Sequence, residues 1–449
     1  MSCRPLVKLS LGTAAACVFA LALGCASKPT KAATPPVAPV VLPALVLSAL
    51  PPEILPPVML GIDVLEAGKF AAIAGKKVGL LTHPAGVNRR GESTISVLRR
   101  APNAKLVALF GPEHGIYGME KAGEKIADTV DRATGLPVYS LHGKTRKPTP
   151  AMLKGLDALV IDLQDIGSRG YTFTSCMRYA MEACFEQGVE VIVLDRPNPL
   201  GGLKVDGPPM DPEFVSYVGA FRVPYVHGLT MGELARMGKD APNVLAVTDR
   251  VRVKGKLTVV PMRGWTRAMR WPDTGLKWIP TSPMIPDFNA VMGFAMVGLG
   301  TELGDFKSGI GLDHPFRGLN YPKKTPDQLI AEFEQYHIPG IKLVKAQGRA
   351  RDGKLVTGVY VEVGDYDAWR PTELSFYLMK TACKWNLVNP FTVAPTDPAS
   401  MFNKLVGSGA WWAAIRRDGR NVDVAAFINN WAARAATYQQ LSKKYWLYP

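Results

Sequence analysis

The sequence predicts an α/β protein built on a parallel sheet, and two observations carry that prediction. Apolar segments of strand length recur from Val58 onward, separated by stretches long enough for a helix. Alternation of that kind places helices on both faces of a parallel sheet. Each of these segments also ends in a cluster of polar side chains, and the carboxyl ends of strands are where an open parallel sheet handles ligands.

The chain of 449 residues opens on a targeting segment. Arg4 and Lys8 form a basic start, Leu9 to Leu23 is apolar, and Leu23-Gly24-Cys25 follows. This is the layout of a secretory signal over residues 1–24, too short to span a bilayer. Its ending resembles a bacterial lipobox, with Cys25 as the lipidated first residue of the mature protein. Ala22 stands where Leu is more usual, so plain secretion stays open. Residues 25–57 are rich in Pro, Ala, Val and Leu, a composition that extends the chain and carries no domain, and they read as a tether. The expected location is the cell envelope, as a lipoprotein facing the periplasm or as an exported protein. The expected attachment is to the inner or outer membrane through the lipid.

Cleavage removes Arg4 and Lys8 and no acid, so the formal charge falls from +15 to +13. A basic body outside the cytoplasm is attracted to anionic wall polymers and lipid head groups, or the charge serves solubility alone. Nucleic acid is not an expected partner, because the chain is exported and carries no nucleic-acid motif. Of six cysteines, Cys3 and Cys17 leave with the signal and Cys25 takes the lipid. Cys176, Cys184 and Cys383 remain without a CxxC, so no disulfide framework or zinc site is expected. Cys176 and Cys184 lie eight apart on one face of a helical pattern, as buried thiols.

The expected strands are Lys77 to Leu81, Lys105 to Phe110, Leu136 to Leu141, Ala158 to Ile161 and Val189 to Leu194. The crossover from 172 to 188 is the clearest helix, closed by Gly188. No GxGxxG follows a strand, so no dinucleotide and no other cofactor is expected. The strand ends are more informative. The first leads into His83, the second into Glu113 and His114, and the third into His142. The fourth leads into Gln164, Asp165, Arg169 and Tyr171, and the fifth into Asp195, Arg196 and Asn198. Any one cluster is accounted for by helix capping; five in succession at one sheet edge predict a pocket.

Carbohydrate chemistry suits that pocket better than metal chemistry. The histidines come from separate loops without ligand spacing such as HExxH, and no GxSxG elbow is present. Carboxylates among amides and aromatics suit glycoside hydrolysis, which needs a protonated carboxyl for the leaving oxygen and a second group for the anomeric carbon. Glu113 and His114 are candidates for the proton transfers.

These residues carry a resemblance. GPEHGIYG (111–118), DLQDIGSRGYTF (162–173), LDRPNPLGG (194–202), HGLTMGELA (227–235) and WPDTGLKWIPTSP (271–283) resemble, in order, the signature blocks of the bacterial exo-β-N-acetylmuramidase family. The resemblance implies a Rossmann-like domain over 58–283, a smaller α+β carboxy-terminal domain over 284–449, and a cleft site between them. It also implies release of N-acetylmuramic acid from the non-reducing ends of peptidoglycan fragments, and it places the catalytic glutamate on Glu113.

The substrate's 2-acetamido group can attack the anomeric carbon itself, leaving Glu113 as general acid/base or as the group polarising the acetamide. His83, His114, Gln164, Asp165, Tyr171, Asp195 and Asn198 would bind hydroxyls or orient Glu113. The lactyl carboxylate calls for a guanidinium, with Arg169 and Arg196 as candidates. Where the family has Asn after Pro283 this chain has Met284, and where it has a Gly-Thr-Asn turn this chain has Gly300-Thr301-Glu302. The following loop, Leu303 to Leu312 before Asp313-His314-Pro315-Phe316, lacks Arg, so Glu302 joins the substrate-facing candidates.

Further on, Gly340 to Ala346 and Leu355 to Gly364 alternate as a hairpin, and Arg370 to Trp385 and Val422 to Tyr445 as amphipathic helices. Trp411, Trp412, Trp431 and Trp446 sit at helical spacing, as core residues do. Two function classes follow: an envelope glycosidase acting on muramic acid ends, and a catalytically weak protein that binds wall fragments or a partner enzyme.

Overall fold

The computed structural model describes residues 57–449 apart from 122. The signal, Cys25 and nearly all of the tether lie outside the described residues. The described residues belong to one compact unit.

Its centre is a seven-stranded sheet ordered β3-β4-β2-β1-β5-β6-β9. These strands are β1 (Lys77–Thr82), β2 (Lys105–Gly111), β3 (Thr129–Val130), β4 (Pro137–Ser140), β5 (Ala158–Asp162), β6 (Glu190–Leu194) and β9 (Leu257–Val260). A side hairpin pairs β7 (Asp206–Pro209) with β8 (Pro224–Val226). Every pairing in the large sheet is parallel except that of the short edge strand β3 with β4. All five expected strands are present. β9 is an addition, because its residues are mostly half-buried between Lys254, Lys256 and a turn, and present no long apolar run.

Strand residues alternate between two cores, as a pleat of period two requires. Ala158, Val160, Ile192 and Leu194 pack with Leu60, Ile62 and Val97 on one face. Leu159, Ile161, Val191 and Val193 pack on the other against the helix Thr172–Gln187. That helix ends at Gly188, whose φ of 71° is a left-handed cap that a residue with Cβ adopts at a cost. Cys176 and Cys184 are buried within it as free thiols.

From β1 the chain builds outward through β2 to β4, then returns to the other side of β1 for β5, β6 and β9. The reversal opens a crevice at the carboxyl ends of β2, β1 and β5, the place where an open α/β sheet receives ligands.

The smaller domain carries an antiparallel sheet ordered β10-β11-β13-β12. Its strands are β10 (Lys307–Ser308), β11 (Gly318–Asn320), β12 (Ile341–Arg349) and β13 (Leu355–Val363). The expected hairpin is β12 with β13, in register from Ile341–Val363 to Arg349–Leu355. Helices Glu373–Trp385, Thr396–Val406, Gly409–Asp418 and Val424–Ser442 complete it. Trp411 and Trp431 are buried against Phe376 and belong to the core.

The chain end then returns to the large sheet. The Arg267 N–H donates to the Pro449 carbonyl at 2.9 Å. Tyr448 Oη donates to Asp195 at 2.5 Å, and the Leu447 N–H donates to Glu233 at 2.9 Å.

Candidate active site at the carboxyl edge of the sheet

After β2 the chain turns through His114 and Gly115, with φ of 71° and 73°. A left-handed pair reverses the backbone, and a non-glycine residue held there marks a site where local strain is maintained by its surroundings. The turn presents the Glu113 carboxylate to three partners. Gly123 N–H donates to Oε1 at 2.9 Å and Thr172 Oγ1 donates to Oε2 at 2.8 Å. His142 Nε2 lies 3.7 Å from Oε1. Thr172 is the first residue of the long helix, so the positive end of that helix's dipole also faces the carboxylate. Burial raises the Glu113 pKa, but the Thr172 and Gly123 hydrogen bonds and the neighbouring His142 and His114 outweigh it, and the net shift is downward.

The histidines divide by role. His114 Nδ1 donates to the Glu120 carbonyl at 2.7 Å, which leaves Nε2 as the nitrogen with a lone pair in the neutral ring. His83, beyond β1, is buried edge-on against Phe173 and accepts the Gln164 N–H on Nε2 at 2.9 Å. Burial and the charges of Arg196 and His114 push its pKa well down, so it is neutral. Burial also lowers the pKa of His142; Glu113 opposes that shift while Arg146 and His114 add to it. His227 takes the Leu229 N–H on Nδ1 and turns Nε2 to 3.3 Å from Asp165 Oδ2. Asp165 is also held by the Gly167 N–H at 2.8 Å.

Gln164 donates to the carbonyls of Asp165 and Pro197, and its Oε1 is buried without a partner. Tyr171 Oη donates to Thr281 at 2.8 Å, with its ring against Phe173 and Phe294. Glu302, just after the turn Leu299–Thr301, is exposed on its outer side, and desolvation of its carboxyl raises its pKa, the opposite shift to Glu113. Tyr225, whose charge state feels Glu302, places its hydroxyl 3.4 Å from where a Cβ of Gly170 would stand, two residues before Thr172.

Four of the expected substrate-facing side chains make their hydrogen bonds within the protein. Arg169 is 1% exposed and donates to four backbone carbonyls: Pro208 and Val223 from Nη1, Leu405 and Val406 from Nη2. Its fork is spent on joining the two domains, so it does not offer a pair of donors to a substrate carboxylate. Arg196 pairs bidentately with Asp162, Nε to Oδ1 at 2.5 Å and Nη2 to Oδ2 at 2.9 Å, inside the protein. It pairs with Asp195 only through its backbone N–H, at 3.0 Å. Asn198 closes its own turn, accepting from the Leu200 N–H and donating to the Leu229 carbonyl. Asp195 is fully buried and accepts from Thr230, the Gly232 N–H and Tyr448. All four are engaged in tying the loops of the sheet edge together, and Arg196 also borders a cavity of about 140 Å³ that it shares with Gln164.

Burial raises the Asp195 pKa to about 6 against the hydrogen bonds that lower it. The folded state therefore keeps a proton that the unfolded chain has released between about pH 4 and pH 6. The stability that this proton supports is complete below pH 4 and is lost as the pH rises to 6. Asp195→Asn should remove this slope. Urea unfolding from pH 4 to 7 is expected to show wild type losing roughly 2–3 kcal/mol relative to the variant.

Sequence reasoning missed Thr172, which reads as an ordinary helix start, and left His142 among the strand ends without a role. It also missed Tyr217, 6.2 Å from the His142 ring and under the Arg146 guanidinium at 4.2 Å. A cavity of about 210 Å³ lies beside His114 and Ser140. A larger one of about 810 Å³, between Leu200–Asp206, Arg267–Arg270 and Tyr366–Pro371, contains none of the residues around Glu113.

The family described as exo-β-N-acetylmuramidase NamZ matches in two parts, amino-terminal over 78–289 and carboxy-terminal over 292–448. The peptidoglycan β-N-acetylmuramidase NamZ of Bacillus subtilis (strain 168) is 36% identical over 403 residues, covering 88% of this chain and 92% of that protein. Two solved structures of DUF1343 family proteins from Bacteroides fragilis NCTC 9343 are also similar. One is 38% identical with a TM-score of 0.77, and the other is 26% identical with a TM-score of 0.66. Each match covers 87% of this chain and 99% of the other.

Proposed function

This chain belongs to the exo-β-N-acetylmuramidase family and is a glycosidase acting on peptidoglycan, and from that premise we propose that it releases N-acetylmuramic acid from non-reducing ends, with Glu113 at the reacting centre. The observation that supports this most is the placement of one carboxylate at the sheet's crevice, held by a helix-start hydroxyl, a backbone N–H and a histidine.

The charge states favour substrate-assisted hydrolysis. Glu113, kept ionised by its donors, accepts the acetamide N–H while the acetamide carbonyl attacks the anomeric carbon and the glycosidic C–O bond breaks. The proton for the leaving oxygen is assigned to Glu302, the carboxyl whose pKa desolvation raises. That assignment is particular to this chain, since the resemblance places Asn at the same turn. Water then adds to the anomeric carbon as the oxazolinium opens, and Glu302, now a carboxylate, takes its proton.

A split between substrates tests the second carboxyl. Glu302→Gln is expected to lower kcat about 10²-fold or more on a muramic-acid-terminated disaccharide. On a nitrophenyl β-N-acetylmuramide, whose leaving group needs no proton, the loss should be less than about tenfold. Equal losses on both would remove Glu302 from the acid role. For wild type, kcat/KM should hold between two limbs. It falls in acid as Glu113, whose pKa is shifted down, takes a proton, and falls on the alkaline side as Glu302, whose pKa is shifted up, loses one. A rate that climbs steadily toward low pH would return Glu113 to the role of proton donor.

The envelope location and the lipid on Cys25 belong to the same proposal, resting on Arg4, Lys8, the apolar run and Leu23-Gly24-Cys25. Incorporation of labelled fatty acid, abolished by Cys25→Ser, is its test.

A further inference from the structure

The loop from 386 to 395, between helices Glu373–Trp385 and Thr396–Val406, holds aliphatic side chains out in water. Leu387 is fully exposed, and Val388 and Val393 are 56% and 63% exposed. The loop is nonetheless well tied. Asn389 Nδ2 donates to the carbonyls of Ile415 at 2.8 Å and Arg416 at 3.2 Å, and its Oδ1 accepts the Phe391 N–H at 2.9 Å. Thr392 Oγ1 donates to the Asn389 carbonyl at 2.7 Å. Beneath the tip, Phe391 is 1% exposed and packs on Phe402 and Trp412. The backbone is therefore pinned with its apolar side chains facing outward, so their exposure is not that of a slack segment.

Cations lie at the base of this loop. Lys384 is in the last turn of the preceding helix, and Arg416, Arg417 and Arg420 lie where the helix Gly409–Asp418 meets Asn389; all four are exposed, as is Asp397 just beyond the loop. The acids bonded to them are Glu332, 2.8 Å from Lys384, and Asp418, 2.6 Å from Arg417. Pinned aliphatic side chains with an excess of positive charge at their base fit a surface that offers both an apolar phase and anionic groups. A wall polysaccharide has no apolar phase, and a second copy of this face would bring like charges together.

We propose that the 386–395 loop docks the protein on an anionic phospholipid bilayer, with Leu387, Val388 and Val393 entering the head-group region and Lys384, Arg416, Arg417 and Arg420 meeting phosphates. Among the described residues no helix is long and apolar enough to cross a membrane; the loop reaches only the interface. The docking is separate from the hydrolase reading and from lipidation at Cys25.

The test uses the body from Pro57, since the described residues belong to one compact unit. Sedimentation with vesicles of phosphatidylglycerol and phosphatidylcholine is compared with phosphatidylcholine alone. Wild type should bind the anionic vesicles. The triple variant Leu387→Ser, Val388→Ser and Val393→Ser keeps every charge and should bind at least about tenfold more weakly, with hydrolysis unchanged. Absence of wild-type binding would overturn the proposal. So would equal binding by the triple variant, which would mean that net charge alone attracts the protein. A concentration-dependent dimer that the triple variant abolishes would overturn it as well, as a self-association surface.

Discussion

Glu113→Gln is expected to lower kcat about 10³-fold or more on a chromogenic β-N-acetylmuramide and on a muramic-acid-terminated disaccharide alike. The substitution keeps the side chain's size. Its amide oxygen can still accept the Gly123 N–H, and the Thr172 hydroxyl can rotate to accept from the new NH2. What is removed is the negative charge that two hydrogen-bond donors, a nearby histidine and a helix start are arranged to stabilise. The unfolding midpoint should therefore stay close to that of wild type while turnover collapses. Activity surviving in Glu113→Gln would move the reacting centre away from the end of β2.

The second large effect is on stability. Arg169→Met should cost about 3–5 kcal/mol, because it withdraws a buried charge and leaves the Pro208, Val223, Leu405 and Val406 carbonyls without their donor. Two of those carbonyls belong to the smaller domain, so the loss loosens the joint between the domains. Chemical denaturation measures it directly. KM on substrates with and without the lactyl carboxylate should change in parallel. A selective loss of affinity for the carboxylated sugar, with stability intact, would restore Arg169 as a substrate ligand.

The contrast between these residues shows how far the sequence could be read. The strands around Glu113 were legible because a strand buried on both faces is a continuous apolar run, as in Ala158–Asp162. β9 escaped because an edge strand packed on one side shows only a weak pattern. Strand-end position identified Glu113, His83, His114, Gln164 and Asp165 as neighbours of the crevice. It could not separate them from Arg169, Arg196 and Asp195, which leave the same edge and turn inward. A charged side chain beside a cleft and one bracing the cleft from behind have the same spacing in sequence; only the partner, often more than a hundred residues away, tells them apart. Thr172 was invisible as a site residue for the same reason, and His142 was placed at the edge without a role, since their meaning depends on the carboxylate they meet.

The tie between the last residues and Asp195 bears on how the large domain is held together. Asp195 sits at the end of β6, near the middle of the chain, yet its hydroxyl partner Tyr448 is the next-to-last residue. Arg267, in the large domain, is likewise secured by the terminal Pro449 carbonyl. Without these last residues Asp195 would keep Thr230 and the Gly232 N–H but lose a buried hydroxyl donor. Tyr448→Phe would take one of the donors from Asp195, so the end of the chain acts as a brace on the large sheet from outside the amino-terminal sequence block.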